Sequence, residues 1–453
     1  MKHFLRYGLL FFVIAFPAIA HAQVSVPMKG WTIQECVRYA TEHNIQINTL
    51  RLNEQTAEQY LSAAKGAKIP NLIASVSNTF DNANNNVNGT GNLTNQLTSI
   101  GNYSLNSSIV LWNDNSVNNT ILQRNLLTKS AVLSVVEAQN NIILSITQAY
   151  LDILLAKENE KYVTDLVNTT GASVKLGEML YSAGSIAKKD LLQLQAQWAS
   201  NKYFLVQTQN TIRQNILNLK QLLQLSSGIA FDVVTPAETD VKVALPSLAE
   251  VQQTAEANFP EIQISKLGID IASTNVVLAK SGFKPVLKAN CALGSGYSDV
   301  ITNAVANSAN PKTGYFTQTG NNFYQNLGLT LSVPIFSNRI NKTNLAKANI
   351  AYKQANLNLQ NSQLVLSQSV EQAYLNALNA QQSYDAANQQ LLAGSESYRI
   401  ANEQLKLGAI NTYDLLVQQN QYIQAVQAFT QAKYSAVLQQ KIYEFYLGNP
   451  VTL

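Results

Sequence analysis

Apolar and polar residues alternate one for one in four short segments of the chain. Leu72, Ala74, Val76 and Phe80 alternate with Ser75, Ser77 and Thr79, and Tyr103, Leu105, Ile109 and Leu111 with Asn102, Ser104, Asn106 and Ser108. Leu287, Ala289, Cys291, Leu293 and Tyr297 alternate with Lys288, Asn290 and Gly294, and Leu327, Leu329, Leu331, Val333 and Ile335 with Asn326, Gly328, Thr330 and Ser332. A period of two predicts strands at about 71–81, 101–112, 286–297 and 323–336, each with one apolar and one polar face. The Asn-, Gly- and Thr-rich stretch 82–100 predicts a long polar loop. Segments of about ten residues with this pattern suit strands that cross an outer membrane, apolar toward lipid and polar toward a water-filled lumen. One such strand would favour a half-buried sheet in a soluble domain; four of them, with an export signal and no spanning helix, favour the membrane. Four strands cannot close a barrel, and lipid forbids an open edge, so several copies must complete the sheet together. Two copies give eight strands around an interior filled by side chains, and three give twelve with room for a channel.

A helical period governs most of the remainder. Residues 115–183 hold no proline and only Gly171 and Gly177, so a helix there would reach about 100 Å. One seam runs through Leu122, Leu126, Lys129, Leu133, Val136, Asn140, Ile143, Thr147, Tyr150 and Leu154, apolar but for three polar intrusions, and a second through Val132, Val135, Ile142, Ile146, Ala149 and Ile153. Two adjacent seams mean two neighbours, as in a curved wall, and the amide-rich face left over suits water. Gly184 and Gly408 stand where a helix end needs a left-handed residue, and Asp190 or Asp414 opens the returning helix. Long helical hairpins follow at 115–225 and 339–447, each with a returning arm half the length of its partner. Either a break in the long helices or added helices at the repeat starts must fill the difference, the first of these running from about Ile33 to Gly66.

The chain contains itself twice. Gln148-Ala149-Tyr150-Leu151 recurs 224 residues on as Gln372-Ala373-Tyr374-Leu375, and the same offset carries Gly184 to Gly408, Ile186 to Ile410, Asp190 to Asp414 and Trp112 to Phe336. Pro70 and Pro285 are 215 apart, which leaves nine extra residues before Phe336 and predicts a surface loop there. The organisation is a signal peptide at 1–22, repeat one at 23–227, an equatorial linker at 228–247 and repeat two at 248–453.

Composition narrows the function. Lys2 and Arg6, the apolar run from Tyr7 to Ile19 and Ala20-His21-Ala22 form an export signal, with Gln23 as the mature start and no cysteine after the cleavage site to carry a lipid. The charged fraction of 13% is about half that of an ordinary soluble protein, and no dense Lys/Arg run supports nucleic-acid binding. After cleavage His43 is the one histidine left, which excludes a multi-histidine zinc site, and a catalytic triad would have to use His43 in a polar helical stretch with no nucleophile motif nearby, so neither enzyme chemistry nor a cofactor is expected. Cys36 and Cys291 fall in periodic patterns and are expected as small buried hydrophobes.

These features together resemble the TolC family of outer-membrane efflux channels. The residues that carry the likeness are the opening Trp31 to Ala40, Val333-Pro334-Ile335-Phe336 at the strand exit, the two Gln-Ala-Tyr-Leu segments and the two Gly-x-x-x-x-x-Asp-Leu-Leu turns. The resemblance implies a mainly α fold with membrane β, a homotrimeric twelve-stranded β-barrel continuous with a periplasmic α-helical barrel. It also implies an outer-membrane location in a Gram-negative bacterium and contact with lipid. As partners it implies a periplasmic adaptor (membrane fusion protein) and an inner-membrane transporter of the RND, ABC or MFS class.

By the same resemblance Gly184, Ser185, Ile186, Gly408, Ala409 and Ile410 occupy the tip turns that meet the adaptor. Asp190 and Asp414 occupy the periplasmic constriction, with Val417, Leu405 and Ile410 at positions where relatives carry a second Asp, a Tyr and an Arg. The closed state is therefore expected to rest more on apolar contact than on charge. Three symmetry-related Asp414 carboxylates would attract cations, while a plainer role for both aspartates is to offset the helix dipole, with Asn411 as the cap. Two rival functions share much of this architecture: the duct of a type I protein secretion system, and a non-conducting periplasmic coiled-coil tether. Two hairpins and four membrane-type strands disfavour the tether.

Overall fold

A computed structural model describes residues 30–86, 93–226, 228–235, 244–300 and 314–449. The export signal at 1–22 lies outside these, as do parts of the two Asn-rich loops. Thr32 opens the first helix, α1 (Ile33–His43), through a reciprocal cap. Its Oγ1 accepts the Glu35 N–H at 3.3 Å, and the Glu35 carboxylate accepts the Thr32 N–H at 2.8 Å.

The single helix expected from Ile33 to Gly66 is instead two. Asn44 ends α1 and starts α2 (Ile45–Gly66), its side chain accepting the N–H groups of Gln46 and Ile47. Repeat two breaks at the matching place, between α5 (Leu248–Asn258) and α6 (Pro260–Ser281). Proline fits there because the first residue of a helix has no use for an N–H.

The long hairpins form as the periodicity predicts. They comprise α3 (Ser116–Ser182) with α4 (Lys188–Leu222), and α8 (Ile340–Lys406) with α9 (Thr412–Phe445). The 67 residues of α3 and of α8 span about 100 Å, and the returning arms about half of that. The repeat-start helices supply the rest. α3 packs against both α4 and α2, and the Ile45 N–H donates to Gln224 Oε1 at 3.0 Å just past the end of α4, so the two short helices stack end to end. α9 and α6 do the same along α8, where the Phe259 ring stacks on Tyr446 with centroids 5.2 Å apart. The wall therefore runs α2, α3, α6, α8 in one half and α4, α3, α9, α8 in the other, with α2 and α4 along one free edge and α8 along the opposite one.

The core lies where these stacks meet. Ile33, Cys36, Ile146, Tyr150, Leu151, Ile153, Leu154 and Leu219 are buried together, and a second cluster gathers Val251, Val370 and Tyr443. The repeated Gln-Ala-Tyr-Leu acquires a reason here. The Tyr150 hydroxyl donates to Val234 O at 2.6 Å and is 3.1 Å from Trp31 O, tying α3 to the bridge between Trp31 and Val233. Gly30 lets those backbones approach, since a Cβ there would stand 3.1 Å from the Val233 carbonyl carbon. The second seam of α3 is less uniform than expected: Ile146 and Ile153 are buried, but Val132 is exposed.

All four strands form one antiparallel sheet in the order β1 (Ile73–Asn86), β2 (Leu93–Trp112), β3 (Val286–Val300), β4 (Tyr324–Ser332). Much of the stretch expected as a loop at 82–100 is strand, with Asp81 opposite Thr98 and Asn86 opposite Leu93. A hairpin ladder is held by backbone bonds, so it continues where apolar residues are too sparse to alternate and the composition reads as loop. β4 ends at Ser332 rather than 336, because Pro334 has no N–H to extend the ladder. The nine extra residues of repeat two do not form a plain loop, for that region carries the short helix α7 (Tyr315–Asn321).

Register places Val76, Tyr103 and Ser295 side by side, then Ala74, Leu105 and Leu293, then Cys291 with Leu327, and Ala289 with Ile109 and Leu329. This is the apolar face. A bulge after Val110 sets Trp112, not Leu111, opposite Leu287 on that face, correcting the simple alternation. Cys36 is buried as expected, but Cys291 is exposed, because none of the described residues covers the part of the face around it. The sheet's free edges are β1, which follows α2, and β4, which precedes α8.

Candidate gate and docking tips

The two hairpins end in turns of one construction. Gly184, at φ +73°, lets its own N–H reach Tyr181 O at 2.9 Å and the Ser185 N–H reach Leu180 O at 2.8 Å. Gly408, at φ +69°, repeats the pair, its N–H on Leu405 O at 2.9 Å and the Ala409 N–H on Gln404 O at 2.8 Å. These bonds satisfy carbonyls that a helix end leaves open. No atom lies within 4 Å of where a Cβ would stand on either glycine, so backbone conformation alone calls for them.

The returning helices begin differently. Asp190 Oδ2 accepts the Ala187 N–H at 3.3 Å, so this carboxylate is itself the cap of α4. In α9 the cap is Asn411, whose Oδ1 accepts the Asp414 N–H at 2.9 Å, and Asp414 remains exposed. Both aspartates stand in a first turn, where the helix dipole favours an anion. Ile186, Leu405, Ile410 and Val417 are half-buried and Ser185 and Ala409 exposed. One turn thus gathers Leu405, Gly408, Ala409, Ile410 and Asp414, with Val417 one helical turn beyond; the other gathers Gly184, Ser185, Ile186 and Asp190. Bare apolar side chains surround both turns, among them Met179, Leu192, Tyr413 and Leu407, the last 84% exposed. The final turns of α8 carry Arg399 on Glu396 at 2.7 Å and Lys406 on Glu403 at 2.9 Å, hydrogen bonds that hold both carboxyls below their ordinary range.

Farther from the tips, three tyrosines join the second hairpin to α3. Tyr398 and Tyr422 stack with centroids 5.4 Å apart, Tyr162 meets Tyr422 edge-on at 6.3 Å, and the buried Gln419 donates to the Tyr398 hydroxyl at 3.3 Å. The Tyr162 hydroxyl is buried without a partner among the described residues, and burial pushes its pKa upward. Sequence reasoning passed over this cluster. The repeat offset pairs Tyr422 with Trp198, which packs beside Gly171, and that recurring aromatic was the available signal. Tyr162 and Tyr398 correspond to Ala386 and Val174, which carry no signal at all. Between α8 and α9 lies a groove of about 800 Å³ whose lining includes Asn376, Asn379, Ser383, Gln390, Gln431 and Gln439, surface that hydrogen-bonds water. Among the described residues no helix is long and apolar enough to cross a membrane, and no three His, Cys, Asp or Glu side chains converge.

Residues 251–448 match the sequence model of the outer membrane efflux protein family. Over 245 residues the chain is 25% identical to outer membrane protein TolC of Vibrio cholerae serotype O1, an alignment covering 53% of this chain and 52% of that one. The match thus spans about half the length of the curated relative. Among solved structures, the Campylobacter jejuni CmeC outer membrane channel superposes with a TM-score of 0.75 at 19% identity, covering 92% of this chain and 85% of that one. The open state of the Neisseria gonorrhoeae MtrE outer membrane channel gives 0.73 at 19%, covering 92% and 88%. These likenesses show a TolC-like fold.

Proposed function

We propose that the protein is the outer-membrane channel of a tripartite efflux system, a passive exit duct that works as a homotrimer with a periplasmic adaptor and an inner-membrane transporter. One observation carries this reading: the sheet and the helical wall have their free edges on the same two sides, β1 with α2 and α4, and β4 with α8. A ring in which each β4 pairs with the next β1 therefore also seats each α8 on the next α2 and α4, closing both tubes about one axis. Exposed apolar residues line those edges, including Tyr60, Tyr203 and Phe204 on one side and Leu357, Leu364 and Leu392 on the other.

Three copies give twelve strands, a barrel about 24 Å across at the backbone, against about 16 Å for eight. They also give a wall twelve helices around, about 35 Å across between axes. A water-filled passage follows from three copies and not from two. In this assembly Asp414 and Asp190, with Leu405, Ile410 and Val417, form the periplasmic constriction. Gly184, Ser185, Ile186, Gly408, Ala409 and Ile410 form the surface that the adaptor grips. Transport energy comes from the inner-membrane partner.

The test is the mass of the detergent-solubilised assembly together with planar-bilayer conductance. Three subunits, and a conductance that rises when Asp414 and Ile410 are both replaced by alanine, are expected. A folded single subunit in the membrane, or no conductance from either protein, refutes the proposal.

A further inference from the structure

The helix that repeat two inserts between β3 and β4 has a use that the channel reading does not absorb. α7 (Tyr315–Asn321) lies on the apolar face of the sheet, because the Tyr315 hydroxyl donates to the Tyr103 hydroxyl at 3.0 Å and its ring meets Tyr297 at 5.0 Å. Tyr103 and Tyr297 share that face with Leu105, Leu293 and Leu329. Polar groups of the helix and its cap take the stretch of β3 beyond the end of β4: Gln318 Oε1 accepts the Ser298 N–H at 3.1 Å, Asn322 Nδ2 donates to Gly296 O at 2.8 Å, and Thr319 O accepts from the Ser295 hydroxyl. With its polar side spent on the sheet, α7 turns Phe316 outward, 86% exposed.

The height of this helix identifies what it meets. Nine residues of β2 separate Trp112 from Tyr103, about 30 Å along the strand and about 23 Å of membrane normal at the usual tilt. Barrels that cross an outer membrane have an apolar band about 25 Å tall between two aromatic girdles. Trp112, Phe283 and Phe336, all exposed, mark the periplasmic girdle. Tyr103, Tyr297, Tyr315 and Phe316 mark the external one.

We infer that α7 is a lipid anchor, fastened to the barrel by Tyr315 and holding the Phe316 ring among the acyl chains at the upper margin of the outer leaflet. The inference rests on the apolar face of the sheet being the lipid face, as in the channel reading. A helix anchored this way covers the β3 edge with backbone and amide bonds and resists vertical sliding of the barrel, as aromatic side chains at a membrane interface do.

The test uses the full-length protein reconstituted in phosphatidylcholine vesicles. A nitroxide label is placed at Phe316→Cys in a Cys291→Ala background, and Cys36 stays unlabelled because it is fully buried. Collision with dissolved oxygen reports lipid, and collision with a water-soluble nickel chelate reports water. Leu329→Cys provides the mid-band reference and Ala409→Cys the aqueous one. The anchor requires the oxygen-to-nickel ratio at 316 to lie several-fold above that at 409 and on the side of 329. A ratio like that at 409 puts Phe316 in water, and a label shielded from both reagents puts it against a neighbouring subunit; either result overturns the anchor. A label at 329 that is itself open to nickel instead overturns the barrel orientation.

Discussion

Replacing Gly408 with alanine and replacing Gly268 with alanine are the same chemical change with opposite expected effects. At either position no atom lies within 4 Å of the added Cβ, so packing drops out and the backbone decides. Gly408 sits at φ +69°, where an L side chain crowds the following carbonyl at a cost of about 1–2 kcal/mol. Gly268 lies inside α6 in ordinary helical conformation, where alanine is better than glycine by about 1 kcal/mol. The readout is native-state amide hydrogen exchange of the intact assembly, followed by mass spectrometry. In the Gly408→Ala protein the amides at 408 and 409, bonded to Leu405 O and Gln404 O, should exchange roughly 5- to 30-fold faster, the factor set by 1–2 kcal/mol. In the Gly268→Ala protein the amides of α6 should slow by about fivefold. Unchanged exchange at the turn, or acceleration in α6, would refute the argument that these glycines differ only in backbone conformation. Gly184→Ala should repeat the Gly408 result, since its turn is built from the same pair of bonds.

Other consequences are equally direct. Tyr150→Phe leaves Val234 O without its 2.6 Å donor, a loss of about 1–3 kcal/mol, and should speed exchange at 228–235 while sparing both tips; equal acceleration throughout would count against a local role. Glu137 has its carboxyl pKa raised, first by burial and then by Glu261, whose Oε2 is buried without a partner among the described residues. A raised carboxyl favours the fold fully below its unfolded pKa and loses that contribution as pH rises through the folded value. Glu137→Gln should therefore unfold at a higher temperature than the parent at pH 8, with the gap closing toward pH 4, and a gap that widens on acidification would sink the assignment. Burial pushes the Cys36 thiol up to about 12, so it should resist maleimide at pH 8 in the folded assembly and react on denaturation; labelling before unfolding would contradict its place in the core.

Local chemistry made much of this protein legible before any coordinates. Two-residue alternation located the four strands, the absence of proline and the apolar seams located α3, and Gly184 and Gly408 marked turns whose bonds are now explicit. Each of these signals is short-range, a matter of which backbone conformations and which faces a few neighbouring residues permit. Asn411 as the cap of α9 was legible for the same reason, and Asp190 as a cap bonded to Ala187 nearly so.

What escaped depends on parts of the chain that are far apart in sequence. The ladder through 82–86 and 93–100 exists because each strand supplies the other with backbone partners, which composition does not register. The bulge that turns Trp112 onto the apolar face, the exposure of Cys291, the end-to-end stacking of α4 with α2 and of α9 with α6, and the Tyr162, Tyr398 and Tyr422 cluster all arise where separate elements meet. Such contacts are settled by packing, which selects among many locally acceptable arrangements the one that fills space and pairs buried polar groups. Periodicity could say that α3 has two neighbours; only the folded chain shows that they are α4 and α2 along one side and α9 and α6 along the other.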